Sequence, residues 1–272
     1  MSDTEQQNVS HQASKDEVPS KVQNSFGPVA SAYVTSAVHA SGPDLAWVVE
    51  AAALTGKERV LDVATGTGHT ALAVAPYASE VIALDLTSSM LQNAQQLARE
   101  RQVHNISFIE GNALSLPFAD NSFEVVTCRQ AAHHFSDVAK AVKEWRRVLK
   151  PGGRLVLVDT ISPEEPEQDT FLNTFEVLRD PSHVRDLRIS EWLALLSQSG
   201  WTGAYVAHSW DIPLDVPTWT RRMRTPEAEV KKILQMFTTA PSPIQARFHI
   251  RISDDGIITF TLPGAVIVST KA

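Results

Sequence analysis

From residue 59 onward the chain alternates short apolar blocks with longer amphipathic stretches. The blocks at 59–63, 80–85, 106–110, 123–128 and 154–159 are five or six residues long, rich in Val, Ile and Leu. Runs of that length without polar alternation predict strands buried on both faces. Between them, 70–75, 88–101 and 138–149 carry apolar residues at helical spacing. Met90, Leu91, Ala94, Leu97 and Ala98 form one stripe, and Val142, Trp145 and Leu149 form another. Lys143, Glu144, Arg146 and Arg147 fall on the outer face of the latter, and Pro151-Gly152-Gly153 stops it. Strict strand–helix alternation predicts an α/β fold, a mostly parallel Rossmann-like sheet with helices on both faces.

The flanks extend this core. Residues 26–55 read as helical through Val29, Tyr33, Ala37, Leu45 and Val48-Val49, divided at Gly42-Pro43. Residues 1–22 are rich in Ser, Gln, Asp and Glu and are expected to form a disordered tail, so that the domain spans 23–272. Past 159, helices are expected at 170–178 and 190–199, and strands at 205–210 and 265–269 bring the sheet to seven. The core then covers about 56–210 and 264–272, with an insertion at about 211–263 as a small cap before the last strand. That insertion holds an amphipathic helix at 227–237 and a hairpin at Asp254-Asp255-Gly256. Its Val230, Ile233, Leu234 and Phe237, with Trp219, Met223 and Phe248 nearby, are expected to cover an apolar or aromatic ligand.

The chemistry concentrates where the first strand ends. Val60-Leu61-Asp62-Val63 runs into Ala64-Thr65-Gly66-Thr67-Gly68-His69, and the next strand closes on Asp85. A glycine turn lets a ligand approach the backbone, and the helix that follows presents free N–H groups to it. A carboxylate at the end of the adjacent strand suits two ribose hydroxyls. Two cofactors fit such a turn. Gly66-Thr67-Gly68-His69-Thr70-Ala71 matches G-x-G-x-x-A, a dinucleotide pattern. Asp62, however, would crowd a pyrophosphate and suits a ligand with a cationic amine, such as S-adenosyl-L-methionine with its net charge of about +1.

Further segments sharpen the choice. The stretch Gly111–Phe118 precedes Phe123-Glu124-Val125-Val126, and Arg147-Val148-Leu149-Lys150-Pro151-Gly152-Gly153 leads into the fifth strand. With the turn, these resemble the class I S-adenosyl-L-methionine-dependent methyltransferases, of the ubiquinone/menaquinone-type (methyltransferase type 11-like) small-molecule branch. The resemblance is firm over about 26–210. It implies that Ala64, Gly66 and Gly68 line the methionine and ribose part, that Asp85, Leu86 and Met90 hold the ribose and one adenine face, and that Asn112 and Ala113 meet the adenine edge. Ala64 replaces the usual first glycine of the motif, which is tolerable if its φ stays negative.

His133 and His134 follow Arg129-Gln130-Ala131-Ala132 just past the fourth strand, where the acceptor lies in such enzymes. A neutral imidazole there can take a proton from a phenol or enol, and adjacent residues point differently, so one of the two should face the cavity. Arg129 either neutralises an acidic ligand or pairs with a local carboxylate. His69 and His183 are weaker candidates. The expected activity is transfer of a methyl group to an O, C or N atom of a small acceptor. The alternatives are an NAD-dependent oxidoreductase, or a protein that binds the cofactor without methylating.

Composition changes little but excludes some classes. With 24 Lys+Arg against 31 Asp+Glu, the net charge of −7 and the lack of a basic run disfavour nucleic acid as partner. The single cysteine, Cys128, rules out an intramolecular disulfide framework, and no Cys pair or His-x-x-x-His spacing points to a metal. No segment reaches the roughly 18 apolar residues of a membrane span, and no signal-peptide pattern opens the chain, so a cytoplasmic enzyme is expected.

Overall fold

The computed structural model describes residues 17–272. Strands β1 Arg59–Val63, β2 Glu80–Asp85, β3 Ile106–Glu110, β4 Phe123–Arg129 and β5 Leu149–Thr160 are parallel to one another. They are followed by β6 Trp201–Asp215, the two-residue β7 Arg251–Ile252 and β8 Ile258–Lys271. The order is β3-β2-β1-β4-β5-β8-β6, with β7 paired beside β8. β8 runs antiparallel to both β5 and β6. The seven expected strands are therefore present, and the short eighth makes the expected hairpin.

Helices α1 Val18–Phe26, α2 Ala30–Val34, α3 Ala37–Ser41 and α4 Asp44–Ala52 precede the sheet. Within it lie α5 His69–Val74, α6 Ser88–Glu100, α7 Val138–Val148, α8 Pro166–Arg179 and α9 Ile189–Gln198. The insertion carries α10 Val216–Met223, α11 Glu227–Thr238 and α12 Ser242–Arg247. Strand periodicity explains the two-sided core. Val60 and Leu61 are both fully buried, Leu61 with Trp145 and Trp192, and Val60 with Val48 and Ala71. Cys128 is buried in the first of these cores, and burial pushes its thiol pKa well up, so it packs as a small apolar group. Among the described residues no helix is long and apolar enough to cross a membrane.

Three boundaries differ from expectation. The tail expected over 1–22 extends too far: residues 1–16 lie outside the described residues, but Val18–Phe26 is helical and Val18 is buried. Val18, Val22 and Phe26 recur every four residues, a stripe that the polar composition of the whole segment conceals. The expected two helices over 26–55 are shorter pieces, with a break at 35–36 as well as at Gly42. Finally, the cap is smaller than 211–263, because residues 211–215 and 258–263 continue the β6–β8 ladder from Asp211↔Pro263 to Asp215↔Thr259. Pro213 and Pro263 do not interrupt this ladder. Pro213 is on the strand that ends the sheet order, and the Pro263 carbonyl accepts from Ile161 N–H, so its missing N–H falls beyond the end of β5.

The insertion has its own core. Phe175 of α8 packs with Trp219, Phe237, Phe248 and Phe260, and Phe237 meets Phe260 edge-on at 4.9 Å. Edge-on pairs of this kind add about 0.5–1.5 kcal/mol each beyond area burial. The apolar face of α11 is thus used against α8 and the long strands, and not over a cavity.

Candidate functional site

The turn after β1 takes three residues into the left-handed region: Ala64 at φ 53°, Gly66 at 55° and Gly68 at 82°. Alanine at position 64 is tolerable without strain only where its φ stays negative, and here it does not. Instead it adopts the glycine conformation, a strain of about 1–2 kcal/mol for a residue with a Cβ. Its surroundings hold it there. Thr65 N–H donates to the Leu84 carbonyl, and Gly66 N–H donates to Asp85 Oδ2 at 2.8 Å.

The two carboxylates flanking this turn have different tasks. Asp62 is 1% exposed and does not reach the cavity wall. Its oxygens accept from Thr65 Oγ1 at 2.5 Å and Thr127 Oγ1 at 2.7 Å. Burial raises its pKa to about 6 against the pull of those hydroxyls. The direct contact with a cationic amine expected of Asp62 is therefore replaced by a supporting role: it fastens the turn from behind. Asp85 does face the cavity, with Oδ1 accepting from Thr87 N–H and Oδ2 from Gly66 N–H, both at 2.8 Å. Its pKa is raised by burial, which the backbone donors oppose.

A cavity of about 140 Å³ opens beside the turn. It gathers Ala64, Gly66, Asp85, Leu86, Met90, Asn112 and Ala113, as the sequence led us to expect. Gly68 is not on its wall. A Cβ at Gly68 would stand 2.9 Å from Ala94 Cβ, so this glycine lets α6 approach. Val18, Val22 and Phe26 of α1 close the outer side, and Gln23 donates to the Leu86 carbonyl. Arg129 lines the cavity, but its Nε is 2.5 Å from Asp44 Oδ2 and its Nη1 donates to the His39 carbonyl. The local-carboxylate alternative for Arg129 is the one observed.

A second cavity, of about 60 Å³, adjoins the first, and His134, Phe26, Tyr33, His39 and Gln130 line both. His134 Nδ1 is 3.1 Å from the Ser182 carbonyl, which can only accept, so Nδ1 carries the proton and Nε2 keeps its lone pair. Burial, then the neighbouring His133 cation, lowers the His134 pKa to about 4, so the ring is neutral at physiological pH. His133 is the opposite case. Burial disfavours its charge, but Asp159 Oδ1 at 2.6 Å from Nδ1, aided by Asp186, holds its pKa up at about 9. His133 lines the second cavity alone.

The second cavity is amphipathic. Phe26, Ile212, Leu214, Trp219 and Leu262 form an apolar wall, while Glu176, Arg179, Asp186 and Arg222 supply charge. Of the cap residues expected to face an acceptor, Trp219 lines the second cavity; Phe237 is in the insertion core. Met223 packs on Tyr33 and Met90, with its sulfur accepting from the Tyr33 hydroxyl at 2.9 Å. His69 lines the first cavity and bonds the Tyr33 carbonyl, whereas His183 is behind, against Asn173. Sequence reasoning missed Gln130, Glu176, Arg179, Asp186 and Arg222.

Comparison with known proteins agrees with this geometry. A family of methyltransferase domains matches over residues 61–157. The uncharacterized methyltransferase YcgJ of Bacillus subtilis (strain 168) is 41% identical over 247 residues, covering 90% of this chain and 97% of its own. The crystal structure of YcgJ superposes with a TM-score of 0.80 over 84% of this chain and 97% of that one. A Bacillus halodurans C-125 structure assigned as a methyltransferase gives 0.80 at 36% identity, over 85% and 99% of the two chains. The demethylmenaquinone methyltransferase of Renibacterium salmoninarum is 39% identical over 155 residues, 56% of this chain and 63% of its own. A near end-to-end likeness of this degree, on a sheet whose first turn is already shaped for a nucleoside, means that the chain belongs to the S-adenosyl-L-methionine-dependent methyltransferases and uses that cofactor.

Proposed function

We propose that the cofactor occupies the first cavity, with its ribose on Asp85 and its adenine beside Leu86, Met90, Asn112 and Ala113. The methionine end then lies along Ala64 and Gly66, with the methyl directed toward the wall shared with the second cavity. The acceptor in this reading is a small molecule with an aromatic or aliphatic body and an ionisable hydroxyl, methylated on oxygen or on the adjacent ring carbon. The observation that carries it is His134, which lines both cavities with an unprotonated Nε2. Nε2 would take the hydroxyl proton, and the bound cofactor would supply a methyl group to the oxyanion or its conjugated carbon, with the neutral thioether as leaving group and, on carbon, the ring proton lost afterwards. The apolar wall of Phe26, Ile212, Leu214, Trp219 and Leu262 supports such a body, and the charged groups support a polar head. The Renibacterium relative acts, by its name, on demethylmenaquinone, which fits a hydroxylated ring as the acceptor class.

The test is a methyl-transfer assay with labelled cofactor and a panel of phenols and reduced quinones. His134→Gln is expected to lower turnover by about 10²–10⁴ while sparing cofactor affinity. Wild-type activity should fall as the pH drops through about 4, where the neutral imidazole takes up a proton. A His134→Gln enzyme with normal turnover and an unchanged acid limb would remove the base from this scheme.

A further inference from the structure

Three residues far apart in sequence meet beside the second cavity, where His133 and Asp186 form part of the wall and Asp159 stands behind them. His133 follows β4, Asp159 ends β5, and Asp186 lies in the loop between α8 and α9. One ligand atom from each lies within 4.8 Å of the others. His133 Nδ1 is 2.6 Å from Asp159 Oδ1 and 3.9 Å from Asp186 Oδ1. Asp186 is the informative member. It is 1% exposed, and among the described residues no group donates a hydrogen bond to either of its oxygens. The imidazoles of His133 and His183, at 3.9 and 3.8 Å, are too distant to do so.

A buried carboxylate without donors is among the least favourable groups a protein can hold. Its neighbourhood does not relieve it. Four buried carboxylates (Asp159, Glu176, Asp180 and Asp186) surround this wall, each at most 6% exposed. Two guanidinium groups, Arg179 and Arg222, line the cavity with them, and neither donates to Asp186. Arg185 is engaged elsewhere, by Asp169 and Glu191.

We propose that His133, Asp159 and Asp186 form a binding site for a first-row divalent cation at the wall of the second cavity. The donor set is one imidazole and two carboxylates with no thiolate, which suits Mn²⁺ or Zn²⁺ better than Ca²⁺. With ligand bonds of about 2.0–2.2 Å, donors on one ion stand roughly 3–4.4 Å apart, so the His133–Asp159 pair must part by about half an ångström and Asp186 must draw in by a similar distance. The ion would displace the proton shared by His133 Nδ1 and Asp159 Oδ1, and Asp186 would gain the partner it lacks. Its open coordination positions face the cavity that also presents His134. A bound ion there polarises an oxygen of whatever molecule enters.

The full-length protein, stripped with chelator, is titrated with MnCl₂ and separately with ZnCl₂ by calorimetry, and metal content is read by mass spectrometry. One ion per chain is expected, with nitrogen coupling from His133 in the Mn²⁺ electron spin-echo spectrum. Asp186→Asn should weaken binding at least about tenfold, and His133→Gln, which also removes the nitrogen coupling, serves if the first variant does not fold. Glu229→Gln, a surface carboxylate change on α11, should bind as the parent does. Absence of stoichiometric binding of both ions, or binding that neither site variant weakens, overturns the proposal. The measurement uses neither acceptor nor turnover, so it succeeds or fails apart from the acceptor class proposed above.

Discussion

Asp85→Asn tests the cofactor site most directly, because this carboxylate serves the protein and the ligand at once. In the folded protein each oxygen already accepts a backbone N–H at 2.8 Å, from Gly66 and from Thr87. Asparagine keeps one acceptor oxygen and turns an NH₂ toward the other donor, so one charge-assisted bond is lost and two donors oppose each other. Hydrogen bonds to charged groups contribute about 1.5–3 kcal/mol. A loss of that size should lower the melting temperature by roughly 3–12 °C for a chain of this length. The ribose hydroxyls lose the same kind of acceptor, and the same energy corresponds to a cofactor affinity weaker by about 10- to 150-fold. Calorimetry with S-adenosyl-L-methionine and with its demethylated product reads the second effect, and thermal unfolding of the free protein reads the first. Both ligands should lose affinity alike, since the sulfonium charge is remote from the ribose. A folded variant with unchanged affinity for both would refute the ribose assignment. An unchanged melting temperature would refute the part Asp85 plays in the turn.

Three further changes probe the scaffold. Ala64→Gly should leave the protein as stable or raise stability by up to about 1 kcal/mol, since release of left-handed strain outweighs the added freedom of the unfolded chain; a drop in melting temperature would contradict it. Gly68→Ala should destabilise by about 1–3 kcal/mol and weaken cofactor binding, because its methyl meets Ala94 at 2.9 Å and must displace α6; denaturant unfolding with cofactor titration measures both. Asp44→Asn breaks the buried pair with Arg129 and should cost about 3–5 kcal/mol by chemical unfolding, whereas a surface-like loss under 1 kcal/mol would mean that Arg129 finds another partner.

What was legible in the sequence is what local geometry fixes. The five parallel strands, α5–α7, the turn and Asp85 follow from periodicity and from glycine, and each was found within a few residues of its place. Periodicity works because a strand or helix buries the same face wherever it is docked. Asp62 and Asp85 look alike in sequence, both acidic at strand ends, yet only Asp85 reaches the cavity. The difference lies in Thr127, 65 residues from Asp62, whose hydroxyl occupies one of the Asp62 oxygens. The two histidines are adjacent, and the choice between them rests on Ser182 for one and Asp159 for the other.

The reach of β6 and β8, the docking of α11 away from the cavity and the covering helix α1 depend on partners distant in the chain. So does the gathering of His133, Asp159 and Asp186. The sequence by itself determined the sheet and its cofactor turn, since hydrophobic period and backbone freedom are properties of neighbouring residues. Only the tertiary structure decided which polar side chain is free to meet a ligand, because burial and hydrogen-bond partners come from segments brought together by folding.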